Sequence, residues 1–176
     1  MSEVEITLRE AIPSDAAELA VVFAQLAEET PYLVTDPAVM QLSEEALAMN
    51  LAGLYETTNN ILLLALADNK IVGTASVRGS DERRVAHIGE VGISVLQDYW
   101  GLGLGTILLE ELIFWAEESE QIRRLELTVQ SRNARAIHLY EKMGFQKEGV
   151  MIRGAWDDDG TFLDVDMMAL MIDPKA

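Results

Sequence analysis

Between residues 90 and 119 the chain passes from Glu90-Val91-Gly92-Ile93-Ser94-Val95, through Trp100-Gly101-Leu102-Gly103-Leu104-Gly105-Thr106, into an amphipathic run that ends near Ser119. This order predicts a strand, a glycine loop and a helix. Glycines at 101, 103 and 105 let the backbone approach a ligand closely. A helix beginning there turns unpaired N–H groups and its positive dipole end toward that ligand. The arrangement suits a pyrophosphate. It leaves open which molecule carries it.

The flanking sequence limits the fold that can hold this unit. Val4 to Arg9 alternates as a strand does, Pro13-Ser14-Asp15 opens a helix through Leu19, Val22, Phe23 and Leu26, and Ser43 opens another to about Tyr55. Between the two helices, Thr30 to Pro37 has two prolines and reads as a loop of the kind that shapes a binding site. Ile61 to Ala67 and Ile71 to Arg78 flank Asp68-Asn69-Lys70, which is hairpin chemistry, and the strand ending at Val95 continues that meander. Arg124 to Val129 alternates again, so strand, helix and strand form a right-handed crossover between parallel neighbours. A short helix from Ala134 to Met143 stops at Gly144. Two more strands, near Phe145 to Arg153 and Thr161 to Ile172, join across Asp157-Asp158-Asp159-Gly160. A calcium loop registered on Gly160 puts Ala155 at its first ligand and Asp166 where a bidentate Glu belongs, so this segment reads as a turn. The expectation is one α/β domain over residues 1–176, with a mixed, mostly antiparallel sheet of about seven strands and flanking helices.

Composition excludes several chemistries. The chain has no cysteine, which removes disulfides, thiolate metal sites and any thiol nucleophile. Two distant histidines, His87 and His138, offer no metal site. A net charge of −17 disfavours nucleic acid as a partner. No run of apolar residues is long enough to span a bilayer and the first residues are not basic, so a soluble, cytoplasmic chain without membrane attachment is expected. Residues 1–60 hold eleven acids against Arg9 alone. That imbalance reads either as a solvated face or as a field that attracts a cationic substrate.

A dinucleotide fold is the nearest rival for the loop, with Glu126 imitating the ribose-binding acid. It fails in register. Counting from Gly101 or from Gly103, the third glycine position is Thr106 or Leu108. A P-loop lacks its Lys-Ser or Lys-Thr. Downstream, Asn133-Ala134-Arg135-Ala136-Ile137-His138-Leu139-Tyr140-Glu141-Lys142-Met143-Gly144-Phe145 resembles the second block of GNAT acetyltransferases, and Trp100 to Gly105 resembles their acetyl-CoA loop. Both blocks stand in the family's order and spacing.

The resemblance implies an acetyl-CoA-dependent N-acetyltransferase. It implies that the pantetheine arm pairs with the strand backbone at Ser94 and Val95, whose N–H groups polarise the thioester carbonyl. It also implies that Gly101, Leu102, Gly103, Leu104, Gly105 and Thr106 cradle the pyrophosphate and that Asn133 contacts CoA while capping its helix. Tyr140 matches the general acid that protonates the departing thiolate; a phenol of pKa near 10 can donate to a thiolate whose acid has a pKa of about 8.5. Its structural alternative is a half-buried tyrosine packing on Ile137 and Met143. Trp100 departs from the pattern, standing where the family usually has Arg or Gln, so a side-chain donor to phosphate is missing.

An acceptor ammonium must lose a proton before it attacks. Glu90 is the candidate base, on one strand face with Gly92 and Ser94; its alternative is a salt-bridged surface acid, and His87 is a weaker base candidate. His138 is read as structural. Leu104, Leu108, Leu112, Phe114 and Trp115 are expected to form the core face of the loop's helix. With no activated Ser or Cys, transfer is direct in a ternary complex. The acceptor is expected to be a primary amine: a small amine or polyamine, an amino acid or a peptide N-terminus. Glu28, Glu29 and Tyr32 are the acceptor-side candidates. The resemblance also implies homodimers. A non-catalytic acyl-CoA sensor and an NAD-dependent enzyme are the rival functions.

Overall fold

The structure, a computed structural model, describes residues 3–32 and 42–174. Seven strands form one sheet: β1 (Ile6–Glu10), β2 (Ile61–Ala67), β3 (Lys70–Gly79), β4 (Ile88–Val95), β5 (Arg124–Gln130), β6 (Gln146–Trp156) and β7 (Phe162–Met171). Among the described residues four α-helices accompany them: α1 (Ala16–Glu29), α2 (Glu44–Leu54), α3 (Leu104–Glu118) and α4 (Ala134–Lys142). The strand order is β1-β2-β3-β4-β5-β7-β6, antiparallel throughout except for the parallel pair β4–β5.

Local chemistry explains these elements. Asp68 and Asn69 have φ of 48° and 68°, the left-handed pair that lets a two-residue turn follow the twist of β2 and β3. The Ser43 hydroxyl accepts from the Ala46 N–H and so caps α2. Asp15 seats the start of α1, accepting from Arg9 Nη1 and Nη2 and from the Ile12 N–H, each at 2.8 Å. The segment from Asp157 to Gly160 is the turn expected, closed by a Gly160 N–H donating to the Asp157 carbonyl.

β2 and β3 are buried on both faces. Helix α3 covers one: a Cβ on Gly73 would sit 3.5 Å from Leu108 Cδ1. Helix α1, which contacts β3 and packs on α2, covers the other. The buried stripe of α3 is Leu104, Leu108, Leu109, Leu112 and Ala116, each large member contributing about 1.5–3 kcal/mol. This corrects the expected stripe. Phe114 follows Leu112 by two residues, about 200° around the helix, and is 51% exposed, while Trp115 is only half-buried. Among the described residues no helix is long and apolar enough to cross a membrane.

Candidate active site

The site begins where two parallel strands part. β4 pairs with β5 only from Ile88 to Glu90, opposite Arg124 to Glu126, yet stays paired to β3 as far as Val95. From Val91 onward the β5-facing edge of β4 therefore has no ladder partner among the described residues, and a wedge opens between the strands. Each strand then runs into a helix, α3 after β4 and α4 after β5. Their N-termini meet at the carboxyl ends of neighbouring parallel strands, where open α/β sheets bind their ligands. Ser94 and Val95 close the β4 side of the wedge, both half-buried.

A short 3-10 turn, Gln97–Tyr99, leads to the glycine loop. Gly101 and Gly103 have φ of 80° and 79°, the left-handed region that other residues enter only with strain. Gly103 is the N-cap of α3, and among the described residues no side chain caps that end. The first N–H groups of α3 thus face out beside Leu102, which is 59% exposed. Gly105 also meets α4. A Cβ there would lie 3.2 Å from Leu139 Cδ2, so its smallness lets α4 pack against the start of α3. Leu104 is buried and Thr106 half-buried on the first turn. Trp100 Nε1 donates to the Val95 carbonyl at 2.7 Å, which fixes the indole across the mouth of the loop, and the Arg135 guanidinium lies over its ring, 5.3 Å from the centroid.

Asn133 caps α4, its Oδ1 accepting from the Ala136 N–H at 3.2 Å. That bond uses the carbonyl oxygen and leaves the amide NH2 for another partner. Tyr140, about two turns further on, packs with Ile137 and Met143 against the core, its ring 5.8 Å from that of Phe145. Burial pushes its pKa up to about 12. Its hydroxyl has no hydrogen-bond partner among the described residues. His138, expected to be structural, is instead exposed on α4; His87 is an exposed loop residue.

On the sheet face opposite α3, Glu90 lies in register with Arg78 on β3 and with Glu126 on β5. Its carboxylate is 3.3 Å from Arg78 Nη2. Glu126 accepts from Arg124 Nε at 2.8 Å, and Glu148 accepts from Arg124 Nη1 at 2.9 Å. The Glu148 and Glu126 bonds hold the Arg124 guanidinium firmly charged, and the Arg124 bond holds Glu148 below the usual carboxylate range. Glu90, Arg124, Glu126 and Glu148, with Thr128 and Met167, line a cavity of about 180 Å³. Sequence reasoning found Glu90 here and missed the rest. Alternation along Arg124, Glu126 and Thr128 carried the signal for β5. Glu148 gave none, because it sits in a β6 bulge beyond the intervening β7.

The acceptor-side candidates lie at the end of α1. Glu28 is exposed. Glu29 is engaged by both oxygens, accepting from the Gln97 N–H at 2.7 Å and from Gln25 Nε2 at 2.6 Å, so it ties α1 to the start of the glycine loop. The Tyr32 ring carries Arg132, whose Nη1 also reaches Asp157 Oδ2 at 3.1 Å; Gln130 Nε2 and Arg132 Nη2 both donate to the Pro31 carbonyl. The chain after α1 is thereby pinned to the end of β5 and to the β6–β7 turn. The remainder of the expected loop, from residue 33, lies outside the described residues. Among the described residues no three His, Asp or Glu side chains are placed to share a metal ion.

Comparison with known proteins agrees with this geometry. Residues 24–145 match the family described as Acetyltransferase (GNAT) family. The chain is similar to the L-amino acid N-acetyltransferase AaaT of Escherichia coli, 32% identical over 61% of this chain and 65% of that protein, a little under two thirds of its length. Its fold matches that of an acetyltransferase of the GNAT family from Streptococcus pneumoniae with a TM-score of 0.93 and 42% identity, covering 96% of this chain and 100% of that one. It also matches yncA of Salmonella typhimurium, solved with acetyl-CoA, with a TM-score of 0.82 and 23% identity over 98% and 96% of the two chains, a likeness of fold. A parted pair of parallel strands, an uncapped helix behind a glycine loop and the match over residues 24–145 lead to one family: the chain belongs to the GNAT acetyltransferases and is an acyltransferase.

Proposed function

We propose that the protein transfers the acetyl group of acetyl-CoA to a primary amine by direct attack in a ternary complex. The observation that carries this reading is the open edge of β4 ending at an uncapped helix N-terminus. Glu90 stands five residues before Val95, about 16 Å along an extended strand, so the anion cradle and the acid sit at opposite ends of one edge. Acetyl-CoA has that form: phosphates at one end, an extended amide-bearing arm and a thioester at the other.

In this reading the N–H groups from Gly101 to Thr106 hold the pyrophosphate, with the Thr106 hydroxyl and Asn133 beside them. Backbone groups of Ser94 and Val95 pair with the arm and steady the thioester carbonyl as it gains negative charge. Tyr140 keeps its proton at every physiological pH, which is the state a donor to the departing thiolate needs; in the same desolvated place the thiolate becomes more basic as well, which narrows the gap between the two groups. Glu90 takes the proton released by the acceptor. Glu90, Glu126 and Glu148 line the cavity against Arg124, with Arg78 paired to Glu90; that acidic balance, with Glu28 in the last turn of α1, favours a cationic acceptor, and a small amine or polyamine leads amino acids and peptide N-termini. Direct transfer is tested by initial rates with both substrates varied. Intersecting lines are expected, with no acetylated protein after incubation with acetyl-CoA alone. Parallel lines, or a protein mass raised by one acetyl group, overturn it.

A further inference from the structure

Arg135 is oddly placed for a residue that serves stability. It lies in the first turn of α4, where the helix dipole disfavours a cation, and no acid stands three or four residues away on either side; its neighbours there are Ser131, Arg132, His138 and Leu139. In a chain with 30 acidic side chains it makes no ion pair among the described residues. Instead its guanidinium rests over the Trp100 ring, 5.3 Å from the centroid. That ring cannot itself serve the loop as a donor, because Nε1 is committed to the Val95 carbonyl. A guanidinium held over an indole face by cation–π attraction uses none of its five N–H donors on the ring's edge atoms, so they remain able to serve an anion. Position 100 begins the loop leading to α3, whose first N–H groups are capped by no side chain among the described residues.

We propose that Arg135, carried on the face of Trp100, supplies the side-chain donor to the pyrophosphate of coenzyme A that position 100 itself does not provide. This rests on the acetyl-CoA reading above. The ring acts as a platform and the guanidinium as the anion contact, so the two residues form one device contributed by separate elements, the glycine loop and α4.

The test is calorimetric titration of CoA and of 3′-dephospho-CoA into the wild type, Arg135→Gln, Arg135→Lys, Trp100→Leu and the Arg135→Gln/Trp100→Leu double variant at low ionic strength. Arg135→Gln is expected to weaken both ligands by the same factor, about tenfold, and Arg135→Lys by less. Thermal midpoints should remain close to that of the wild type, since Arg135 is exposed. The double variant should lose no more than Arg135→Gln combined with the lost Val95 bond, well short of the product of the two single losses. Unchanged affinity in Arg135→Gln overturns the proposal. So does a loss confined to CoA, which places the contact at the 3′-phosphate, and so do fully multiplicative losses, which separate ring from guanidinium. A wild type that binds neither ligand overturns the acetyl-CoA reading itself.

Discussion

Tyr140→Phe is expected to lower kcat about a hundredfold while leaving the Michaelis constant for acetyl-CoA within about threefold of the wild type. The hydroxyl has no hydrogen-bond partner among the described residues, and the ring packs against the core beside Phe145. Removing the oxygen therefore breaks no bond within the described structure and should cost little stability. What is lost is the proton for the leaving thiolate. The pH dependence follows from burial, which raises the folded-state pKa from about 10 to about 12. Because the folded state favours the neutral phenol, the stabilisation is fully present below pH 10 and is lost as pH rises from about 10 to about 12. The wild type should lose stability across that window to an extent that the Phe variant does not. A Phe variant as active as wild type would show that water or another group protonates the thiolate.

Gly103→Val should abolish useful cofactor binding, raising the dissociation constant for CoA at least about a hundredfold, or about 2.7 kcal/mol. At φ 79° a β-branched side chain is strained, yet a Cβ there meets no heavy atom within 4 Å, so the free protein keeps its packing. The new side chain fills the open space in front of the α3 N-terminus, where an anion must approach the N–H groups. Trp100→Gln should do much less harm, since it removes the platform under Arg135 but returns a donor to the loop. A side chain at Gly105 would in addition press on Leu139 of α4, the helix that carries both Arg135 and Tyr140, since a Cβ there comes within 3.2 Å of Leu139 Cδ2. Calorimetry with CoA measures all three, and equal losses in Gly103→Val and Trp100→Gln would contradict backbone-led phosphate binding.

Much of this architecture is written locally. The Asp68-Asn69 turn, the β4 strand with its glycine loop and α3, and the Asn133 cap of α4 each follow from a few adjacent residues whose conformational preferences agree. What local pattern does not carry is adjacency set by the sheet. β7 enters between β5 and β6, and a bulge near Lys147 and Gly149 turns Glu148 toward Arg124, so an acid from β6 joins the Glu90 groove with no trace in the spacing. The Arg135–Trp100 contact joins residues 35 apart in the same way. Apolar character alone places Phe114 in the core, where the helical angle from Leu112 turns it to the surface, and Glu29 is held by Gln97 and Gln25, partners that no sequence signal links.

The central claim is that the wedge between β4 and β5 serves acetyl transfer to an amine. Its most direct test is thiol release from acetyl-CoA by the wild type and Tyr140→Phe, read across polyamines, amino acids and peptides with free N-termini. The expected result is amine-dependent release by the wild type with at least one of these classes, cut about a hundredfold in the Phe variant. Firm CoA binding with no amine-dependent release anywhere on the panel contradicts it and leaves an acyl-CoA sensor in place of an enzyme.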